Sequence, residues 1–301
     1  MSYRGSKFAK PGAERTCPYC GSAHARIFDQ NASHPVWSEM TGVCLFRCEV
    51  CHSHFTSPLP TDEFLSYCYQ TYAINGYPAA KSLAKPNSRQ EEAYERILRD
   101  LNLRPGSVAR CLEIGAGEAH LAVKLLELFP EAKLDAVDFS APPRSDAVQR
   151  LIREGRMHWI QADINRAEYG EPLSYDLVTA VALSEHVKEP LDLIKRIIAL
   201  LKPGGRAFVQ GPRAGSPAQV LFGKKWVYHI PGEHLSVPSA AGIRLLMSRI
   251  GHDDYELKFV PTYYSTKYLV NALAKKSWNA IPDILLPLPT GSFSLEIRKP
   301  S

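Results

Sequence analysis

Two Cys-x2-Cys pairs lie near the start of the chain, Cys17 with Cys20 and Cys48 with Cys51, with 27 residues between them. Four thiolates brought together from two tight turns make the tetrahedral set that zinc takes. Gly21 follows the first pair and suits the turn, whereas His52 stands in that place after the second. Cys44, four residues before Cys48, could replace one ligand. The alternative, four buried thiols without a metal, leaves a short segment with little to hold it together. Cys68 and Cys111 read as core thiols.

A second set begins at "CLEIGAGEAH", which runs from Cys111 to His120. Glu113 precedes Gly115 and Gly117, and a helical pattern follows. Glycine there lets the backbone turn sharply and lets a ligand come close; a plain tight turn is the competing reading. Asp138 stands 21 residues after Gly117, at the end of the next apolar run. A carboxylate in that place can accept from both hydroxyls of a ribose. Asp163, in "QADI", can accept from an adenine amine, and Phe139 and Ile164 can flank the ring. A pyrophosphate loop calls for a third glycine, and His120 occupies its position, which argues against a dinucleotide.

The third set is made of bases. "LSEHVKEP" carries Glu185 and His186, and "HIPGEHLSVPS" carries His229, Glu233 and His234. An imidazole titrates near neutrality and can take a proton from a hydroxyl. A single histidine is more often structural than catalytic, and His234 could instead orient or cap the helix that follows. Two histidines converging on one crevice favour a catalytic role for at least one of them.

These residues need a scaffold. From Ala109 onward short apolar runs alternate with helical patterns: strands at "ARCLEIG", "KLDAVDFS", "MHWIQADI", "YDLVTAVALS" and "RAFVQGP", with helices between them. Near-continuous apolar strands separated by helices mean a parallel sheet covered on both faces, an α/β fold. The pattern predicts one helix from Glu118 to Phe129 and another from Pro190 that stops at Gly204-Gly205. Residues 61–106 read as two helices, the second opening with Ser88 and Glu91 as a capping box. Pro105-Gly106 then breaks the chain.

The 301 residues are 45% apolar and 22% charged, with a net charge of +5, too diffuse to mark a nucleic-acid surface. No apolar run reaches the roughly 18 residues of a membrane span, and no secretory leader is visible. A cytoplasmic protein is expected, with residues 1–15 a disordered basic tail. Seven cysteines, five of them between Cys17 and Cys51, fit a metal in a reducing compartment better than disulfides.

Taken in order, "LEIGAGEAH", "AVDFS", "IQADI", "YDLVTAVALSEHVKEP" and "LLKPGGRAFVQGP" resemble the class I S-adenosylmethionine-dependent methyltransferases over roughly residues 88–300. The resemblance implies a Rossmann-like seven-stranded sheet of order 3-2-1-4-5-7-6. Its last two strands, near 254–260 and 292–298, would form an antiparallel hairpin. It also implies that Glu113, Gly115 and Gly117 line the methionine moiety, Asp138 the ribose and Asp163 the adenine. "CPYCGS" through "QTYAINGY" resembles the zinc-ribbon head of a subgroup acting on sugars and other small intermediates. There Tyr69 and Tyr72 match positions that pack over the cofactor; ordinary helix packing is the alternative. Ubiquinone-pathway O-methyltransferases share the Glu-His-Val run, and some bind a metal through an upstream Glu whose place is taken here by Ala182.

The expected organisation is a tail and zinc ribbon over 1–60, a helical linker or lid over 61–106, and a methyltransferase domain over 107–301. Insertions fall near 213–235 and 261–291, the latter read as an amphipathic helix packed on the sheet or as an acceptor pocket or dimer contact lined by Tyr263, Tyr264, Tyr268 and Trp278. The expected cofactors are S-adenosylmethionine and a structural zinc, and the expected acceptor is a small-molecule hydroxyl on a sugar or secondary metabolite. The alternatives are ubiquinone-type O-methylation and an RNA acceptor gripped by the ribbon. Only Arg26 and Arg47 are basic between Cys20 and Cys48, which argues against RNA. A monomer or homodimer is expected.

Overall fold

The computed structural model describes residues 15–32, 43–75, 88–104, 106–230, 233–266, 270 and 285–301. The expected tail falls outside them, apart from Arg15, as do Tyr268 and Trp278. The cysteine-rich head carries three strands that its weak periodicity did not announce: β1 (Ala25–Ala32), β2 (Val43–Cys48) and β3 (His54–Thr56). Two helices follow as expected, α1 (Asp62–Asn75) and α2 (Ser88–Leu101).

The alternating region then folds as β4 (Arg110–Ile114), α3 (His120–Leu128), β5 (Lys133–Asp138), α4 (Asp146–Arg153), β6 (Met157–Gln161), β7 (Tyr175–Val181), α5 (Pro190–Leu200) and β8 (Leu201–Pro212). Helix α6 (Pro217–Phe222), the two-residue strand β9 (Ser236–Val237) and α7 (Ala240–Ile250) lead to β10 (Tyr255–Ser265) and β11 (Leu285–Arg298).

Seven strands make one sheet in the order β10-β11-β8-β7-β4-β5-β6. Neighbours from β6 to β8 pair in parallel, while β11 runs antiparallel to both β8 and β10. Counted from β4, this is the expected 3-2-1-4-5-7-6. Leu112, Ile114, Val137, Val178 and Ala180 are fully buried because helices cover both faces.

Three boundaries differ from expectation. Helix α3 starts at His120, because Ala119 takes a left-handed φ of 58° and the glycine loop continues to it. Helix α5 ends at Leu200, four residues before Gly204, and β8 starts at once; the φ of 76° at Gly204 serves an irregularity inside the strand. The stretch expected as a helix after 261 instead begins by prolonging the terminal hairpin. The hairpin pairs Tyr263 with Pro287 and Tyr264 with Leu286.

The head is stitched to the larger sheet's domain. β9 adds to β3, giving a four-stranded sheet β1-β2-β3-β9 in which His54 faces Val237 and Phe55 faces Ser236. Tyr19 and Ser236 share a hydroxyl hydrogen bond of 3.0 Å, and Arg249 donates to the Tyr19 carbonyl at 2.9 Å.

Candidate functional site

Parallel strands leave their carboxyl ends open at a crevice, and the chain changes direction there between β4 and β7. Gly115 (φ 75°) and Gly117 (φ 52°) form the loop leaving β4. A Cβ on Gly115 would come within 2.8 Å of the Leu183 side chain, whereas one on Gly117 would meet nothing within 4 Å. The first glycine therefore serves packing, and the second leaves open space for a ligand.

A cavity of about 270 Å³ opens on this loop. It is lined by Gly115, Gly117, Asp138, Phe139, Asp163, Ile164 and His186, all expected there, and also by Ser140, Asn165, Ala182 and Leu183. Asp138 accepts the Gly117 amide at 2.9 Å on Oδ2 and the Ser140 amide at 2.8 Å on Oδ1. Each carboxylate oxygen keeps a second lone pair for a ligand hydroxyl. Asp138 thus ties the β4 and β5 loops together as well as facing the cavity. Asp163 accepts the Asn165 amide at 2.9 Å and lies 3.8 Å from Arg166.

Glu113 sits beneath the loop, only 5% exposed. It takes a backbone hydrogen bond from Ala122 in the first turn of α3, while its Oε2 is buried with no partner. Burial pushes this carboxyl up to about 8, opposed by the Ala122 amide and assisted by the charge of Asp138. A buried carboxylate oxygen without a donor is costly unless a ligand supplies one. The ammonium of an amino-acid moiety has that chemistry. The residues present therefore fit S-adenosylmethionine: a carboxylate for its amino group, a close-approach glycine and two further carboxylates at the strand ends.

The three candidates for proton transfer converge. One carboxylate oxygen of Glu185 and one imidazole nitrogen from each of His186 and His234 lie within 4.8 Å of one another. The two rings meet edge to face, with centroids 4.8 Å apart. His186 Nδ1 donates to the Glu233 carbonyl at 3.2 Å, and His234 Nδ1 to the Tyr228 carbonyl at 2.8 Å. A carbonyl only accepts, so each ring carries hydrogen on Nδ1, and in its neutral form the lone pair is on Nε2. Glu185 is buried, which raises its carboxyl pKa. Its backbone carbonyl holds the second loop by accepting from Leu235 N at 2.7 Å. The same three side chains have the composition of a divalent-cation ligand set.

In the head, Cys17 and Cys51 lie 3.5 Å apart at sulfur, as do Cys20 and Cys48, and all four sulfurs fall within 4.8 Å. Four thiolates at the usual Zn–S length of about 2.3 Å stand about 3.8 Å apart, so the set fits zinc. Gly21 and His52 take left-handed φ values of 77° and 64° and close equivalent turns onto Cys17 O and Cys48 O. Cys44 points instead to the Gln30 carbonyl at 3.6 Å and is not in the cluster. Cys68 and Cys111 are buried.

Tyr69 and Tyr72 lie in α1, and their side chains fall outside those described. Sequence reasoning missed what anchors this helix. Asp62 at its start forms ion pairs with Arg166 and Lys188, one beside the Asp163 turn and the other just after His186.

Comparison with known proteins follows the same outline. The sequence profile of the methyltransferase domain family matches residues 87–257, more than half of the chain. The ubiquinone biosynthesis O-methyltransferase of Vibrio cholerae is 30% identical over 100 residues, covering 33% of this chain and 40% of that one. The malonyl-[acyl-carrier protein] O-methyltransferase of Halalkalibacterium halodurans is 30% identical over 96 residues, covering 31% and 35%. The chain thus spans about 40% or less of these relatives. Among solved structures, phosphoethanolamine N-methyltransferase 2 of Haemonchus contortus, in complex with S-adenosyl-L-methionine, superposes with a TM-score of 0.54 at 20% identity, covering 82% of this chain and 63% of that one. At that identity the likeness concerns the fold.

Proposed function

The chain belongs to the methyltransferase domain family, and on that premise we propose that it transfers a methyl group from S-adenosylmethionine to a hydroxyl of a small-molecule acceptor. The observation that carries this reading is the pairing of two features on one crevice. Gly117, Asp138 and Asp163 line the donor side, with Glu113 buried beneath the glycine loop, and His186, which shares that lining, meets Glu185 and His234. When bound, S-adenosylmethionine supplies an electrophilic methyl carbon. The chain's own part is to position and to hold protons. Glu113 receives the ammonium, Asp138 the ribose hydroxyls and Asp163 the adenine amine, with Phe139 and Ile164 flanking the ring. His234 or His186 takes the acceptor's proton at Nε2, its Nδ1–H fixed by a backbone carbonyl. Glu185 stabilises the imidazolium that results.

Both curated relatives named above are O-methyltransferases by name, one of ubiquinone biosynthesis and one of malonyl-[acyl-carrier protein]. They support oxygen as the acceptor atom and a ring hydroxyl of quinone type as the first acceptor to try. A sugar or secondary-metabolite hydroxyl is the second reading. It is favoured by a head that the family profile does not cover, joined through β9 to the His234 loop. In this reading Cys17, Cys20, Cys48 and Cys51 hold a structural zinc that keeps that loop in place. The test is transfer of labelled methyl into a small-metabolite extract compared with total RNA. Label in the small-molecule fraction, lost in the His186→Gln, His234→Gln double variant, supports the proposal. Label in RNA alone refutes it.

A further inference from the structure

One face of the head sheet carries two arginines and a histidine in a row that sequence spacing hides. Arg26 pairs directly with Arg47, and Arg47 directly with His54, so the three share one face across β1, β2 and β3. Like charges set directly opposite destabilise a sheet. Among the described residues no carboxylate lies in an ion pair with Arg26 or Arg47.

A cavity of about 240 Å³ opens here between the head and the segment around α6. Its walls include Arg47, His52, His54 and Gln219, with Phe28 and Val220 as apolar flanks and no acidic residue. Gly215 and Gly223 border it, and a Cβ on either would meet nothing within 4 Å. The Gln219 carbonyl oxygen is engaged by the Gly215 amide at 3.1 Å, so the side chain's NH2 is the end left for other partners. His54 and His229 meet ring nitrogen to ring nitrogen at 3.0 Å, both packed against Phe28. Burial, with each other's proximity added for His54, pushes His54 down to about 3 and His229 down to about 4. The pocket is thus a converging set of donors whose lining holds no carboxylate, while Asp29, ion-paired with Lys224, acts on His229 from outside that lining.

We infer that this cavity binds the phosphate or diphosphate group of a small molecule, with Arg47 as the principal ligand and His54, His52 and Gln219 as further donors. The inference is independent of the acceptor assigned above, because it is read by binding alone. The rings of His229, Trp226, Tyr228, His234 and His186 run from this cavity to the methyl-transfer crevice, with neighbouring centroids 4.8 to 6.2 Å apart. A phosphate held here could therefore belong to the acceptor itself or to a separate effector.

The probe is inorganic pyrophosphate, titrated into the full, zinc-loaded chain by calorimetry, with the histidine ring nitrogens followed by NMR. Saturable binding that shifts His54 and His229 is expected. Arg47→Gln should weaken it about 10- to 100-fold, with Arg47→Lys partly restoring it and S-adenosylmethionine affinity unchanged. Loss of labelled-methyl transfer at saturating pyrophosphate would assign the site to the acceptor's phosphate; unchanged or raised transfer would assign it to an effector. The inference is overturned if pyrophosphate does not bind at millimolar concentration. It is equally overturned if folded Arg47→Gln binds as tightly as wild type, or if single-stranded RNA binds through Arg47 where pyrophosphate does not.

Discussion

Replacing Glu113 by Gln should make the protein more stable and a poorer binder of its cofactor. The carboxyl is buried and pushed up from 4.5 to about 8, so at pH 7 roughly nine-tenths of it is protonated in the free protein. Because the folded value is raised, the fold keeps a proton that the unfolded chain gives up near pH 4.5. Stability therefore falls as pH rises from about 4.5 to about 8, and at pH 7 the cost is on the order of 3 kcal/mol. Gln keeps the shape and removes the titration, so thermal melts should show a gain of several degrees at pH 7 that vanishes near pH 4.5. Ligand binding should move the other way. Losing the charged partner of the ammonium costs about 1.5–3 kcal/mol, or roughly 10- to 150-fold in Kd. Wild type must also ionise Glu113 on binding, releasing about one proton at pH 6.5. Calorimetry in two buffers of different ionisation enthalpy reads that proton directly. Equal affinity in the Gln variant, or no proton release by wild type, would refute the assignment.

Asp138→Ala should weaken S-adenosylmethionine binding by about 1–3 kcal/mol and speed amide exchange at Gly117 and Ser140, whose N–H groups it accepts; unchanged exchange would mean the loops are held otherwise. Gly115→Ala should destabilise the fold by about 1–3 kcal/mol, since Leu183 stands 2.8 Å from the new Cβ at a φ of 75°; a neutral melt contradicts this. His234→Gln or His186→Gln should lower turnover about 100- to 10,000-fold with cofactor affinity intact. Wild-type turnover insensitive to chelation in a zinc-loaded head would favour the base over a cation held by Glu185, His186 and His234. The four clustered cysteines should hold one zinc per chain, measured by elemental analysis. Its removal should expose the Thr56 amide, which donates to Leu235 O at 2.9 Å; a metal-free chain with full protection there would sink the structural role.

The larger sheet was legible because its strands are buried on both faces and read as unbroken apolar runs, as in "LVTAVAL". The crevice was legible because motif order fixes which carboxylates stand at strand ends. What stayed hidden depends on pairing between distant segments. Strand β9 is two residues long and carries no periodicity of its own; it exists because β3 offers it an edge. Arg26, Arg47 and His54 are 21 and 7 residues apart, and only strand register makes them neighbours. Asp62 was visible as a helix start, yet its bonds to Arg166 and Lys188 join segments more than 100 residues apart. Asn165 and Ser140 lie within two residues of Asp163 and Asp138, and that adjacency was the one signal that could have found them. The helical reading after 261 started too early, because β10 runs on to Ser265 and a register shift between Val260 and Thr262 breaks the alternation that would have marked it.

The central claim is methyl transfer from S-adenosylmethionine to a small-molecule hydroxyl at the crevice joining Glu113 to His234. It is tested most directly with cofactor carrying a 13C-labelled methyl, incubated with the full chain and a small-metabolite extract, and read by NMR of the product fraction. The account predicts a new labelled methyl ether in wild type, reduced at least a hundredfold in the His186→Gln, His234→Gln double variant. Labelled methyl on nitrogen or carbon, or label confined to RNA, would contradict it.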